Sequence, residues 1–529
     1  MKKQVISSLL ALSLVFGTAA VLPQGAVDND TAIVASAGGG DVRFGSHEVE
    51  DNVMDSGEFS YYTFTDGTIG IYAYTGKATT LSVPEKINGK KVTYVSLVKQ
   101  YLIDAPNITA VKLPRYVDTA RISLEKGVVS VDKNNKNFVA KNGMLYNKDK
   151  TVIYAAPTDK KKYSLPNTLK TIGEFAFMFC TLTKDTVIPD GVTTIEENAF
   201  YAAVFEDGFK LPDSVEYIGN NAFASMDYSK GLPSSFKFPA SLKTIGYSAF
   251  MGRPMKKIAL PDGLKKIDSF AFYCSPEPGT SIFIPSTVTE IGDQAFSAAA
   301  DATMFVDKYD VKVTVPATVK KIGEAAFGYN DEYNYDLTII TTKNSAADKY
   351  AKANDINVRY DKTVSLATVT GLKAQSYTGK AVKPTPTVKF EGKTLKKGTD
   401  YTLSYKNNKK VGLASVIIKG KGKYSGTLTK VFKINPKKVT ISKAKYKAPK
   451  KISLKYKKSA TADGYEILYS TSKKFAAKKT TTINTNKLSK TISKLKSGKT
   501  YYVKVRAVKT VKGIDYKSKY SAVKKIKVK

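Results

Sequence analysis

A phenylalanine returns at positions 177, 200, 223, 250, 272, 296 and 327, each preceded by alanine and each five residues after an isoleucine. The isoleucines are Ile172, Ile195, Ile218, Ile245, Ile267, Ile291 and Ile322. Six residues before each isoleucine stands a proline: Pro166, Pro189, Pro212, Pro239, Pro261, Pro285 and Pro316. Leucine or valine lies midway between proline and isoleucine. The periods are 23, 23, 27, 22, 24 and 31 residues, which is the range of a solenoid. One coil of this size cannot bury its own apolar side, so each must stack on its neighbours.

Local chemistry gives each position a role. Alternating apolar pairs precede proline, as in Phe209 and Leu211, Ile258 and Leu260, Ile282 and Ile284, or Val313 and Val315. That period of two predicts a short strand, which proline ends because it has no N–H to donate. The midway Leu or Val, the Ile and the Phe then point inward from a return arm, and the alanine lets the next coil approach. Glycine follows isoleucine in five copies, but Glu196 and Asp268 replace it in two, so the turn there does not demand a left-handed residue.

The quoted Pro, Ile-Gly and Ala-Phe pattern resembles the BspA-type leucine-rich repeats of bacterial surface proteins. Phe138 to Pro157, containing Asn142-Gly143-Met144-Leu145-Tyr146-Asn147, resembles the hairpin-like insertion of that family. Ser345 to Tyr360 looks like its closing segment, and Val83-Pro84 with Asn88-Gly89-Lys90-Lys91-Val92 like its opening coil. Leu113-Pro114 fits a degenerate coil with Ala120 in the isoleucine place. The resemblance covers residues 58–360: opening coils 58–137, insertion 138–157, regular coils 158–342 and closing segment 343–360. It implies a mainly β fold, a leucine-rich repeat solenoid with a short strand and a helical or irregular return arm in each coil. It also implies adhesion, in some members to extracellular-matrix proteins.

Charge divides the chain near residue 361. Residues 1–360 hold 39 basic and 40 acidic side chains, whereas residues 361–529 hold 45 basic and 6 acidic. Within this basic tail, residues 361–436 resemble bacterial Ig-like β-sandwiches, on Tyr377-Thr378-Gly379-Lys380, Gly398-Thr399-Asp400-Tyr401 and Gly420-Lys421-Gly422-Lys423-Tyr424. Residues 437–529 are similar to a fibronectin type III domain, with Leu495 to Tyr501 approaching a tyrosine corner and Tyr456 in the place of the usual core tryptophan. Alternation predicts Tyr501, Val503 and Val505 inward, and Tyr502, Lys504 and Arg506 outward. Such sandwiches imply spacers or ligand-presenting modules. Lysine faces protect sheet edges and aid solubility, but mixed signs would serve as well. Attraction to a polyanion explains the imbalance better. With Arg506 the one arginine among the 45 bases, diffuse retention is expected rather than bidentate recognition.

The amino terminus reads as an export signal, residues 1–37: Lys2 and Lys3, an apolar run from Val5 to Leu22, and the small-x-small Ala35-Ser36-Ala37. An uncleaved anchor is the alternative, and residues 38–57 would be a linker. An exported chain would meet the anionic polymers of a Gram-positive wall rather than nucleic acid. After signal removal no membrane span is expected.

Composition excludes several chemistries. With one histidine, His47, two cysteines and no tryptophan, sites needing two histidines or four cysteines cannot form. His47 has no catalytic pattern around it and is expected at the surface. Cys180 and Cys274 sit four coils apart, about 19 Å at ~4.8 Å per coil, too far for a disulfide, and are expected as buried free thiols. Leu165-Pro166-Asn167-Thr168 imitates a sortase motif but lies inside the first regular coil. Asp301, Asp307 and Asp310, like Asp331, Glu332 and Asp336, match no EF-hand loop and are expected as solvated loops, with calcium the alternative. No cofactor is expected.

Binding residues follow from the strand geometry. Positions two and four before proline face outward, on the concave side of a horseshoe, and the candidates are Lys162, Ser164, Lys210, Lys237, Lys257, Phe283 and Thr314. That amphipathic mixture suits a protein or glycan ligand, with the inserted loops 225–235 and 298–311 as alternative contacts. The sequence thus points to a secreted, surface-associated binding protein and not to an enzyme. The rivals are a structural wall or surface-layer component and a carbohydrate-active enzyme using a carboxylate pair.

Overall fold

The structure, a computed structural model, describes residues 43–44, 47–48, 54–98, 108–227, 229–297, 309–328 and 335–529. The expected signal 1–37, most of the linker, most of loop 298–311, and Asp301, Asp307, Asp331 and Glu332 lie outside the described residues. His47 lies in a two-residue strand paired with Arg43–Phe44. Among the described residues the chain is mostly strand, with one α-helix, Ala346–Ala353. None of them forms a helix long and apolar enough to cross a membrane.

The seven isoleucines form the spine of the repeat. Thr171–Ile172, Thr194–Ile195, Tyr217–Ile218, Thr244–Ile245, Lys266–Ile267, Glu290–Ile291 and Lys321–Ile322 are two-residue strands in one parallel ladder, isoleucine beside isoleucine. The ladder starts on Val152–Ala155 and an antiparallel hairpin, Phe138–Lys141 with Met144–Asn147. The return arm is a run of turns, as its irregular reading expected. Its N–H groups alternate: Ala176, Met178 and Cys180 bond back into their own turn, while Phe177 and Phe179 bond to Ala199 and Tyr201 of the next coil. The left-handed residue the turn needs comes two places after the glycine, at Phe175, Asn198, Asn221, Ser248, Phe270, Gln294 and Ala325, with φ between 45° and 60°.

Inside runs a stack of rings. Phe177, Phe200, Phe223, Phe250, Phe272, Phe296 and Phe327 are all buried. Successive centroids lie 5.0–5.8 Å apart with interplanar angles of 20° or less. Burying each ring contributes roughly 2–3 kcal/mol, and the stack makes that contribution continuous from coil to coil. The opening unit, from Phe59 to Val131, carries its own core around Ile71, Val95, Val111 and Ile122.

Among the regular coils described, the strand directly before proline forms in the later ones. Met255–Ala259, Pro276–Phe283, Tyr309–Thr314, Tyr335–Ile340 and Asn357–Arg359 make a parallel five-stranded sheet. In earlier coils a tight turn comes immediately before: the N–H groups of Thr186, Phe209 and Phe236 bond to Thr183, Glu206 and Pro233. Donors spent inside the turn cannot join a ladder, so those segments stay unpaired.

In the tail each half has two sheets. Residues 437–529 place Ile452 and Leu454 of one sheet against Ile467, Val503 and Val505 of the other. Tyr501, Val503 and Val505 are buried, while Tyr502, Lys504 and Arg506 are half-exposed. The Tyr501 hydroxyl accepts the Lys496 N–H at 3.0 Å, and Tyr456 packs on Tyr465 with centroids 4.9 Å apart.

Candidate functional site

Three outer faces of the repeat carry side chains that could act. The first holds the residues predicted from strand geometry. Lys162, Ser164, Lys210 and Lys237 are exposed on the unpaired early segments. Lys257 and Phe283 are exposed on the five-stranded sheet. There the register forms two rows, Lys257, Ser281, Lys312 and Thr338 beside Ala259, Phe283, Thr314 and Ile340. Thr314 departs from expectation, being only 6% exposed. Its partner in register, Ile340, pairs on with Arg359 and packs against the core of residues 361–436. Asp310, the acidic-loop candidate in this region, pairs with Lys312 at 3.3 Å, and Asp336 lies 3.4 Å from the Asn357 amide.

The second face is the edge after proline. Asp190, Asp213, Asp262 and Ser286 each directly follow a repeat proline. Lys430, from strand Thr427–Asn435, reaches Asp262 at 2.6 Å and Ser286 at 2.8 Å and is 5% exposed. Lys512 lies 3.5 Å from Asp213. Gly513, with φ of 70°, sits so close that a Cβ on it would fall 1.3 Å from the Asp190 carbonyl oxygen. These contacts join the basic tail to this edge of the repeat. A cavity of about 650 Å³ remains at the junction, lined by Asp213, Asn407, Lys410, Val511 and Tyr516 among others.

The third face lies over the isoleucine ladder. Arg121 of the opening unit makes a forked contact with Glu174, Nε at 3.2 Å and Nη2 at 2.9 Å from one oxygen. Glu196 accepts the Glu174 N–H at 3.2 Å. Burial, with the Glu174 charge adding to it, raises the Glu196 and Glu197 carboxyls to about 7. Burial also raises the Tyr217 hydroxyl, with Glu197, Glu196 and Asp268 adding to the effect. Sequence reasoning passed over this cluster, although Glu196 and Asp268 were visible there as the two departures from glycine.

Other residues read differently once placed. Cys180 and Cys274 are buried and form no disulfide, and burial pushes the Cys180 thiol up to about 12, away from nucleophile character. Arg253, fully buried, is a feature no pattern announced. Its guanidinium donates to the carbonyls of Phe223 at 2.6 Å, Lys230 at 3.0 Å and Ala203 at 2.8 Å, and stands 5.4 Å over the Phe205 ring. It ties the inserted residues after Ser225 to the coil. Among the described residues no three His, Cys, Asp or Glu side chains are grouped to hold a metal.

Residues 154–232 and 228–330 match the BspA type Leucine rich repeat region. These BspA-type repeats span the ladder and the ring stack described above. Solved structures with partial likeness include a leucine-rich repeat protein from Eubacterium ventriosum, 18% identical, covering 52% of this chain and 93% of that one, TM-score 0.33. A leucine rich cell surface protein from Faecalibacterium prausnitzii is 17% identical over 57% of this chain and 97% of that one, TM-score 0.25. A leucine-rich repeat protein from Bacteroides ovatus is 18% identical over 54% and 70%, TM-score 0.27. No curated protein matches significantly.

Proposed function

We propose that this chain is an exported, surface-associated binding protein whose BspA-type repeats present a rigid face to a protein or glycan. The observation that carries this is the continuous ring stack, which holds seven coils in fixed register and so fixes the spacing of every outward side chain. The tail's two sandwiches are read as Ig-like and fibronectin type III modules. The tyrosine-corner contact from Lys496 N–H to Tyr501 supports the second. Its lysines outside the docked contact remain exposed in large part, as at Lys396, Lys419, Lys433 and Lys445, and would hold the protein on anionic wall polymers.

The test uses the full chain. It should be retained on at least one immobilised extracellular-matrix protein or polysaccharide, and it should sediment with anionic cell-wall preparations at low salt and leave them as salt rises. Passage through every matrix and wall preparation would overturn the proposal. Retention on walls alone would favour the structural role.

A further inference from the structure

We propose that the outer face of the isoleucine ladder, around Tyr217, Tyr247, Phe270 and Tyr273 with Glu196, Glu197 and Asp268, is a binding platform for a neutral polysaccharide strand. This rests on the binding role just proposed and gives it a place and a ligand class.

Four observations meet here. First, three of the rings are in contact and all four are open in part to solvent. Tyr247 and Phe270 have centroids 5.4 Å apart, and Phe270 and Tyr273 5.6 Å. All three are half-exposed and Tyr217 is 37% exposed, whereas the phenylalanines of the internal stack are buried. Half-open rings with polar neighbours are the usual partners of an amphipathic ligand. Sugar rings, with apolar C–H faces and hydroxyl edges, are such ligands.

Second, carboxyls lie beside the rings. The Tyr217 hydroxyl feels Glu196, Glu197 and Asp268, and Tyr247 feels Asp268. With Glu196 and Glu197 raised to about 7, these groups exchange hydrogen bonds with hydroxyls instead of presenting a full anionic field. Lys266 further offsets Asp268, at 3.4 Å. A low net charge suits a neutral strand better than a cationic peptide.

Third, the repeat is broken here at some cost. A Cβ built on Gly219, Gly246 or Gly292 would stand 2.4–2.8 Å from the preceding coil, yet Glu196 and Asp268 occupy the equivalent places, each flanked by glycine coils. Departures from a tight local rule mark functional positions more often than scaffolding ones. Fourth, the coil spacing of 5.0–5.3 Å through this stretch is close to the length of one pyranose unit, so successive sugars can meet successive coils.

The experiment is affinity electrophoresis of the full chain in gels containing soluble β-1,4-glucan, β-1,3-glucan, xylan or galactan, with polylysine as a cationic control and matrix-protein retention run in parallel. At least one polysaccharide should slow the protein. Tyr217→Ala and Tyr247→Ala should each weaken that binding about tenfold, the order of one lost aromatic contact of ~1.4 kcal/mol. Tyr217→Phe should keep most of it, and Lys133→Ala, exposed on the opening unit, should leave it unchanged, while Lys257→Ala with Phe283→Ala probes the rival sheet. Melting curves of each variant establish folding. Equal retardation of the tyrosine variants, or loss through Lys257 and Phe283 instead, would overturn the platform. So would retention of no polysaccharide, or binding of polylysine that Glu196→Gln abolishes. Matrix-protein retention with no polysaccharide slowing the protein would keep the binding role while removing this site.

Discussion

At the scale of single residues, two half-buried carboxyls and one buried guanidinium set conditions on stability that the apolar core does not. Glu196 and Glu197 hold their protons near pH 7 when folded, against an ordinary value of 4.5. Between those values the folded state binds more protons than the unfolded one, so stability is highest below about pH 4.5 for these groups and declines as pH rises through 7. The melting temperature of the repeat should therefore drop between about pH 5 and pH 8, and Glu196→Gln with Glu197→Gln should flatten that dependence. Circular dichroism melts across pH would show it; an identical slope in the double variant would contradict it. Arg253 acts through geometry. Three carbonyls take its N–H groups, so Arg253→Met leaves buried acceptors unsatisfied, at about 1–3 kcal/mol each before relaxation. A lysine carries a single donor centre and cannot span three carbonyls, so Arg253→Lys should rescue little. Denaturant unfolding of the two variants should give similarly reduced midpoints.

At the scale of elements, the coils are held at a distance fixed by backbone. Gly292 faces the Ser269 nitrogen, which a Cβ would approach to 2.4 Å. Gly292→Ala must therefore push two coils apart and disturb the Phe272–Phe296 contact, now 5.1 Å. The expected loss is about 1–3 kcal/mol, readable as a lower midpoint in denaturant. What the sequence made legible at this scale was the periodic part. Pro, Ile and Ala-Phe recur because every coil repeats the same neighbour contact, and the buried phenylalanine column follows from them. The strand before proline was over-read in early coils, because Phe209 and Phe236 carry the right alternation but spend their N–H groups in turns. Thr314 was misplaced because its exposure depends on Ile340 and a domain fifty residues on. The carboxyl and tyrosine face was hidden for the opposite reason: its members are the positions that break the period, and periodicity alone treats them as noise.

At the scale of the whole molecule, the open matter is how a tail of 45 basic and 6 acidic residues sits on repeats of nearly balanced charge. The docked edge answers with contacts of two kinds. Lys512 and Asp213 are exposed and 3.5 Å apart, so salt screens them and they contribute little. Lys430 and Asp262 are largely buried, so salt reaches them poorly, and removing one partner leaves a charge without its counterpart. Gly513 adds a steric condition, since any side chain there meets the Asp190 carbonyl. High salt alone should therefore leave the tail docked, while Lys430→Met combined with Gly513→Ala should free it. Small-angle scattering should report a larger radius of gyration for the double variant at every salt concentration, with sandwich folding unchanged in its circular dichroism. A radius unchanged by the substitutions would mean that the apolar contact of Ile340 with the core of residues 361–436 is enough to hold the arrangement. If instead the radius grows and wall retention grows with it, the Asp190, Asp213 and Asp262 edge competes with wall polymers for the same lysines, and docking on the repeat and adhesion to the wall are alternative uses of one charge.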